Sequence, residues 1–210
     1  MSRRKARLLW GAGVAALACA ASAGCAAGPR QYLKTGFTPP ERVAVLPLNN
    51  HTTDLDGPQV ARYWFDRRLS EKKNYRTLPL EEVDARLKEL GITDGGQLES
   101  VTPRELGAAL SAPAVIYGEL LDFNYQTTGF LNVRKARARF KMVDCATGET
   151  LWENEGLGVN SSGALSASGA LQAGLEQLGK QLAEKAFRSP LKTETMDMVW
   201  NAIQYLPRGR

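Results

Sequence analysis

The clearest pattern in the chain is a strict alternation of polar and apolar residues from Lys135 to Met142. Successive side chains of a β-strand point to opposite faces, so this period of two predicts a half-buried strand. One face of that strand is apolar and the other is basic: Ala136, Ala138, Phe140 and Met142 on the first, and Lys135, Arg137, Arg139 and Lys141 on the second. We therefore expect the apolar face to contribute to the core.

This strand is predicted to be the first half of a β-hairpin. Residues 144–149 have the composition of a turn, and residues 150–155 have that of the return strand. One register matches both the apolar and the charged partners across the hairpin: Met142 with Trp152, Lys141 with Glu153, and Arg139 with Glu155. A slip of one residue would oppose unlike side chains, so we predict this register.

The rest of the chain predicts helices and strands in the overall order β-α-β-α-α-β-β-β-α. The predicted strands, besides those of the hairpin, are a buried strand at 42–46, a short strand at 75–78 and a strand at 114–123. The first predicted helix follows Asp56 and Pro58 and has Ala61, Trp64, Phe65 and Leu69 on one face; the second carries Leu80, Val83, Leu87 and Leu90 and is followed by Gly91. A third helix begins at the capping box of Thr102 and Glu105, and a fourth, amphipathic helix runs from Leu171 to about Phe187. This order indicates an α/β (α+β) fold: a single domain with a mixed β-sheet, a β-hairpin and packed helices.

Two stretches of the second half lack such periodicity. Residues 156–169 are rich in Gly, Ser and Ala and predict a mobile loop. Residues 196–206 near the end of the chain predict one or two further helical turns.

The amino terminus has the three-part pattern of an export signal. Positive residues from Arg3 to Arg7 precede an uncharged, mostly apolar run from Leu8 to Ala23. That run is rich in Ala and Gly and is shorter than the roughly 20 strongly apolar residues of a membrane-spanning helix. Small residues then lead to Cys25, as in a secretory signal followed by a lipobox. The sequence therefore predicts that Cys25 is lipidated.

Cys19 offers an alternative lipobox, Ala16-Leu17-Ala18-Cys19, and this alternative stays open. Cys25 is preferred because it leaves a fuller apolar run and precedes a linker-like segment. Ala26 follows it, rather than the Asp that marks retention in the inner membrane, which favours the outer membrane. The predicted organisation is a signal peptide at 1–24, a lipidated tether at 25–41, an α/β lipoprotein domain at 42–190 and a carboxyl-terminal tail at 191–210.

The net charge of +5 comes mostly from the amino terminus. Without the four basic residues between Arg3 and Arg7, 23 basic side chains face 22 acidic ones. A body that is nearly neutral lacks the electrostatic footprint of a nucleic-acid-binding protein.

Candidate catalytic and ligand-binding groups are few. His51 is the only histidine, and its cluster with Asp54 and Asp56 is interpreted as a polar turn and a helix cap. Cys145 is interpreted as a bystander thiol in the hairpin turn. Gly174, Gly179 and Lys180 have the spacing of a phosphate loop, but they fall inside a predicted helix. No catalytic residue, cofactor site or metal site is predicted.

Two further groups of polar residues are candidate sites. The serines at positions 161, 162, 166 and 168 have no histidine near them in sequence. The basic stripe from Lys135 to Lys141 could contact anionic headgroups or an acidic partner. The favoured interpretation is a sheet face whose cations pair with Glu153 and Glu155.

Three segments together resemble a known group of bacterial envelope proteins. They are Arg42 to Asn50 (RVAVLPLNN), Ala114 to Phe123 (AVIYGELLDF) and Val143 to Trp152 (VDCATGETLW), the last with the pattern D-x-x-T-G-E-x-L-W. The chain resembles bacterial lipoproteins of unknown function that include a neisserial surface-antigen candidate, and beyond them the CsgG, LpoB and TolB amino-terminal group. The resemblance covers roughly residues 40–187.

The resemblance implies a lipid-anchored α/β module with a TolB amino-terminal or CsgG-like fold and no catalytic residues. We expect a protein of the outer membrane on the periplasmic side, or displayed at the surface, that acts as a non-catalytic binding or assembly module in an envelope transport or assembly complex. The expected partners are the membrane, through the lipid, and envelope proteins; a homo-oligomer is compatible with the sequence, and nucleic acid is not expected.

Two alternative functions stay open. One is an LpoB-like regulator of a cell-wall synthase. The other, less favoured, is a CsgG-like secretion component, because residues 124–132 are too few for two membrane-crossing strands of about 9–11 residues each.

Overall fold

The structure is a computed structural model that describes residues 31–128, 131–161 and 188–209. The described elements, in chain order, are β1 Gln31–Leu33, β2 Val43–Val45, β3 Asn49–Asn50, α1 Gly57–Lys73, α2 Leu80–Glu89, a 3₁₀ helix Gly95–Ser100, α3 Pro103–Leu110, β4 Ala114–Thr128, β5 Leu131–Asp144, β6 Thr150–Ser161 and α4 Lys192–Ile203. The described residues do not include the predicted signal peptide, Cys25 or the predicted helix at 171–187.

The strands form one mixed sheet in the order β1-β6-β5-β4-β2, and β3 also pairs with β4. β2 and β3 run parallel to β4, whereas the β4–β5, β5–β6 and β6–β1 pairs are antiparallel. The prediction of a mixed α+β domain with a hairpin and packed helices is confirmed.

The predicted hairpin register is also confirmed. Met142 lies opposite Trp152, Lys141 opposite Glu153 and Arg139 opposite Glu155. The four apolar residues of β5 are fully buried, and the four cations are partly exposed on the other face. Gly148, in the turn, has a φ of +74°, a left-handed conformation in which glycine avoids the strain of a side chain.

Helices α1 and α4 pack on one face of the sheet. The Phe65 ring of α1 stacks on Phe140 of β5 with a centroid distance of 3.9 Å. The residues predicted to share one face of α1 are all buried there: Ala61, Trp64, Phe65 and Leu69. Met198 and Ile203 of α4 complete this apolar layer.

A smaller core lies on the opposite face, where α2, α3 and the 3₁₀ helix cover the β2 end of the sheet. Leu87 of α2 and Leu106 of α3 are buried with Val115 and Val143 of the strands. The predicted capping box at the start of α3 is present, with the Thr102 and Glu105 side chains each accepting the other's backbone N–H. Helices on both faces therefore hold the β2–β4 region rigidly.

Three local predictions were wrong. Residues 75–78 form no strand but make one isolated bridge, between Thr77 and Val43. Asp56 stands at the N-cap position of α1 without a side-chain cap, because Asp54 Oδ1 already accepts the Gly57 N–H at 2.6 Å. Leu90 is 45% exposed and lies just beyond α2 instead of on its buried face.

Residues 131–161 and 188–209 are more regular than their composition predicted. Residues 156–161, interpreted as the start of a mobile loop, continue β6. α4 is longer than the predicted one or two turns and belongs to the core. β1 lies within the predicted tether and pairs with β6, so the folded unit begins before residue 42.

Two charged side chains of α1 are buried against the sheet and α2. Arg62 donates from Nε and Nη2 to the Val45 carbonyl at 3.0 and 2.8 Å, and from Nη1 to Asp84 at 2.6 Å. Asp66 accepts a hydrogen bond from Thr77, and its Oδ1 has no partner in the described part of the chain. Burial raises the pKa of Asp66 to about 6, although Thr77 and the Arg62 charge act in the opposite direction.

This pKa predicts that Asp66 weakens the fold as the pH rises. The unfolded chain has the ordinary aspartate pKa near 3.8, so folding retains a proton between about pH 4 and pH 6 and stability falls through that window. The difference between the two pKa values corresponds to about 3 kcal/mol. Asp66→Asn should remove this loss, which urea unfolding at pH 4.5 and pH 7 would measure. Asp197→Asn, at an exposed position of α4, is the matched control; identical pH profiles for wild type and Asp66→Asn would contradict the assignment.

Candidate functional site

One face of the β4–β5–β6 sheet, opposite α1 and α4, is a polar surface. Because side chains alternate along each strand, the basic stripe of β5 shares this face with acidic residues of its neighbours. We call it the open sheet face, and it consists of Tyr117, Glu119, Asp122, Lys135, Arg137, Arg139, Lys141, Glu153 and Glu155. The described helices on this side pack at one end of it, against Val115 and Val143.

Arg139 is the centre of an ion-pair ladder across the three strands. Its Nη1 lies 3.1 Å from Glu119 Oε2 on β4, and its Nη2 lies 3.3 Å from Glu155 Oε2 on β6. Its Nε is 3.9 Å from Glu153. Each of these side chains is partly exposed, so the single pairs contribute little stability, but together they fix the orientation of the charges.

Asp122 anchors the next step of the ladder. Its Oδ2 lies 2.6 Å from Arg137 Nε and 3.0 Å from Lys135 Nζ. Partial burial disfavours the charged carboxylate, but hydrogen bonds from Lys135 and Arg137 outweigh it and hold the pKa of Asp122 below its usual value. Since Arg137 also reaches Glu155, the interpretation of the basic stripe as a paired sheet face is confirmed.

A cleft of about 390 Å³ lies between the ladder and the 3₁₀ helix. Asn49, Glu99 and Tyr117 line it together with Lys141, whose Nζ is 5.5 Å from the centroid of the Tyr117 ring. Burial raises the pKa of Tyr117, so its phenol stays protonated and can donate a hydrogen bond. With both signs of charge, an amide and a phenol side by side, the cleft is suited to a polar, peptide-like surface.

The His51–Asp56 turn satisfies its own polar groups. Asn50 Oδ1 accepts from the Thr52 N–H at 3.0 Å and from the Thr52 hydroxyl at 2.8 Å. Asp54 Oδ1 accepts from the Asp56 N–H at 3.0 Å and also opens α1. His51 is exposed, and the described residues contain no cluster of His, Cys, Asp and Glu with metal-site geometry. This geometry supports the interpretation as a polar turn, with Asp54 in the capping role.

Cys145 is a buried thiol packed against α3. Only 6% of the residue is exposed, and burial, followed by the neighbouring Asp144, raises the pKa of the thiol to about 11. The thiol is therefore protonated at neutral pH, which opposes a nucleophilic role. The Gly174–Lys180 match and the serines at 162, 166 and 168 lie outside the described residues.

The chain matches a family of known proteins over most of its length. A model of the family described as "Putative lipoprotein GNA1162-like" matches residues 31–196 of the chain. The chain belongs to the GNA1162-like family. This finding confirms the resemblance to bacterial lipoproteins drawn from the three sequence segments.

One curated protein and two solved structures are similar to this chain. The "Putative lipoprotein NMB1124/NMB1162" of Neisseria meningitidis serogroup B is 26% identical over 156 residues, which cover 71% of this chain and 70% of that protein. The crystal structure of lipoprotein GNA1162 from Neisseria meningitidis aligns with a TM-score of 0.55 at 20% identity, over 61% of this chain and 88% of that one. The LpoB carboxyl-terminal domain from Salmonella enterica aligns with a TM-score of 0.41 at 16% identity, over 58% and 84% of the two chains.

The outer edge of β6 in this GNA1162-like chain was not predicted from the sequence. β1 pairs only with Trp152, Glu153 and Asn154, so beyond Asn154 no described strand pairs with the edge of β6 that faces away from β5. Leu157 and Val159 are 44% and 52% exposed there, on the side of the open sheet face. Their alternation with Gly156 and Gly158 was the available signal, but the small residues around them favoured a loop. Within the described residues, no helix is long and apolar enough to cross a membrane.

Proposed function

We propose that the protein is a non-catalytic binding or assembly module, anchored by lipid at Cys25 to the periplasmic side of the outer membrane. The order of positive residues, apolar run, small residues and Cys25 supports the anchor. The family description and the name of the neisserial relative both use the word lipoprotein. Ala26 after the cysteine supports the outer membrane as the destination.

The observation that carries the binding role is the open sheet face beside its cleft. Its charges are ordered by the ion-pair ladder around Arg139, yet the side chains stay between 13% and 42% exposed. A partner that matches this pattern would dock without having to order the charges itself, which favours affinity and specificity. The partners we propose are other envelope proteins, in a transport or assembly complex.

Gln31, the first residue of β1, is six residues from Cys25. An extended chain of that length spans at most roughly 20 Å. An acylated Cys25 would therefore keep the sheet close to the bilayer, within the layer where envelope proteins present their membrane-proximal surfaces. Several acyl chains would make this attachment stable, whereas one chain is marginal.

A crosslinking experiment in two backgrounds tests both parts of the proposal. A photo-crosslinking aromatic amino acid replaces Tyr117 in wild-type protein and in Cys25→Ser, with radiolabelled palmitate to report acylation. We expect wild type to take up palmitate, fractionate with the outer membrane and form adducts with defined envelope proteins. Cys25→Ser should lose all three, whereas Cys19→Ser should keep them if its leader is still processed.

Two results would contradict the proposal. Palmitate uptake that depends on Cys19 instead of Cys25 would move the anchor to the alternative lipobox. Acylated protein that forms no adduct from position 117 would leave the anchor intact and remove the open sheet face as the binding surface.

A further inference from the structure

The part of the β4–β5–β6 sheet that lies beyond Asp122 and Glu155, toward the β4–β5 turn, contains apolar and basic residues and no acidic residue. We call it the distal end and define it by residues 124–125 of β4, 133–135 of β5 and 157–160 of β6. These segments read Asn-Tyr, Val-Arg-Lys and Leu-Gly-Val-Asn, so they contain two cations and no carboxylate. The acidic residues of the open sheet face all lie nearer the opposite end of the strands, from Asp122 and Glu155 inward.

The exposed side chains of the distal end are of the types that favour a membrane interface. Leu157 and Val159 lie beside Arg137 and Lys135 in the β5–β6 register and are 44% and 52% exposed. On the other face Tyr125 is 48% exposed, and the Arg134 guanidinium lies 5.1 Å from the centroid of its ring. Tyrosine and long cationic side chains concentrate where hydrocarbon meets headgroups, because each joins an apolar body to a polar tip.

The direction of β1 leads the chain from the folded sheet toward this end. β1 is antiparallel to β6, with Leu33 opposite Trp152 and Gln31 opposite Asn154. The amino-terminal end of β1, at Gln31, therefore faces the Val159 end of β6. From Asn154 to Val159 a strand rises roughly 17 Å, and the six residues back to Cys25 reach roughly 20 Å. The segment between Cys25 and Gln31 is thus long enough for the bilayer to reach the distal end, and it is too short for the domain to stand far from the bilayer.

We propose that the distal end is a membrane-docking surface that rests on a bilayer containing anionic headgroups and sets the orientation of the anchored domain. This inference depends on the proposed acylation of Cys25. The lipid supplies attachment, while Leu157, Val159 and Tyr125 enter the interface and Arg134 and Lys135 meet the headgroup phosphates. The open sheet face then stands roughly upright on the membrane, with its cleft directed toward the periplasm.

Fluorescent probes on single cysteines test this surface in the full, acylated protein. Val159→Cys places an NBD probe at the distal end, and Ala146→Cys places one at an exposed position of the β5–β6 turn, at the opposite end of the strands. Cys145 is buried and should not be labelled. The acylated protein is reconstituted in vesicles of phosphatidylethanolamine and phosphatidylglycerol that carry a headgroup spin label. We expect the probe at 159 to be quenched at least about three-fold more than the probe at 146, as for a side chain within about 5–10 Å of the acyl boundary.

A charge variant separates headgroup contact from simple proximity. Lys135→Gln should reduce the quenching at 159 in these vesicles, whereas Lys72→Gln, at an exposed position of α1 remote from the distal end, should leave it unchanged. Asp122 keeps Arg137 as a partner in Lys135→Gln, so the ladder stays paired.

Three outcomes are decisive. Equal quenching at 159 and 146 in protein shown by mass spectrometry to be acylated would overturn the docking surface alone. A blue shift of the probe at 159 that grows with protein concentration in the absence of vesicles would instead assign the distal end to a contact between copies of the chain. An unmodified Cys25 would overturn the proposed function before the docking surface is reached.

Discussion

Gly158→Ala is expected to lower the free energy of unfolding by about 3 kcal/mol, which corresponds to a fall of about 6–12 °C in Tm. α4 lies directly on the backbone of β6, and a Cβ at position 158 would overlap the backbone oxygen of Glu194 and lie 2.7 Å from its carbonyl carbon. These atoms belong to a helix backbone and cannot rotate away as a side chain would. To admit one methyl group, α4 has to move off the sheet and lose contacts along its length. Thermal unfolding followed by circular dichroism measures the effect.

Gly96→Ala is the matched control for this substitution. The nearest atom to a Cβ there is Asp94 Oδ1 at 3.2 Å, at the end of a side chain that can adjust. We expect a change within about 0.5 kcal/mol, since alanine also restricts the unfolded chain. Gly156→Ala should resemble Gly158→Ala, because its Cβ would overlap the Met198 backbone oxygen. A Tm for Gly158→Ala within the range of the Gly96→Ala control would show that α4 does not sit on β6 as described.

The elements predicted well from the sequence are those whose signals are local. The period of two in β5 fixes which side chains are buried, and the opposite charges of Arg139 and Glu155 fix the register with β6. The capping box of Thr102 likewise depends on residues three positions apart. In each case the interacting residues are neighbours in the chain or lie across one short turn, so the local sequence pattern is enough to predict the contact.

The elements that were missed depend on partners far away in the chain. Gly156 and Gly158 look like loop residues by composition, but their small size is what allows α4, some forty positions later, to approach the strand. β1 is similar, because three exposed residues become a strand only through Glu153 and its neighbours on β6. A single sequence carries no sign of these pairings, and tertiary contacts override local preference there.

The candidate site divides in the same way. The charges of the open sheet face could be assigned to one face from alternation alone. The cleft could not, since Asn49, Glu99 and Lys141 come from three separate segments that only the fold brings together. The distal end could not be predicted either, because it depends on the point at which β1 stops pairing with the edge of β6.

The Lys73 ammonium links the end of α1 to the residues that follow α4. Lys73, the final residue of α1, is only 7% exposed, and its Nζ donates to the carbonyls of Gln204 and Leu206 at 2.7 Å each. The same ammonium lies 5.9 Å from the centroid of the Trp200 ring. Carbonyls at the end of α4 have no further helical partner, and a cation there is also favoured by the helix dipole. The segment predicted as a tail therefore connects α1 to α4 through these hydrogen bonds.

Lys73→Met should destabilise the protein by about 3 kcal/mol, because it keeps the length of the side chain but leaves two carbonyls without their charged donor. Lys72→Met is the matched control: it removes the same charge one residue earlier, where the side chain is exposed, and should cost less than about 0.5 kcal/mol. Urea unfolding measures both variants. Before global unfolding, residues 204–209 of Lys73→Met should become sensitive to carboxypeptidase, although Tyr75 still donates to the Pro207 carbonyl. If both variants have the same stability and the same resistance to the protease, the Lys73 ammonium does not hold the segment after α4, and the other contacts of that segment, including the Tyr75–Pro207 hydrogen bond, are sufficient.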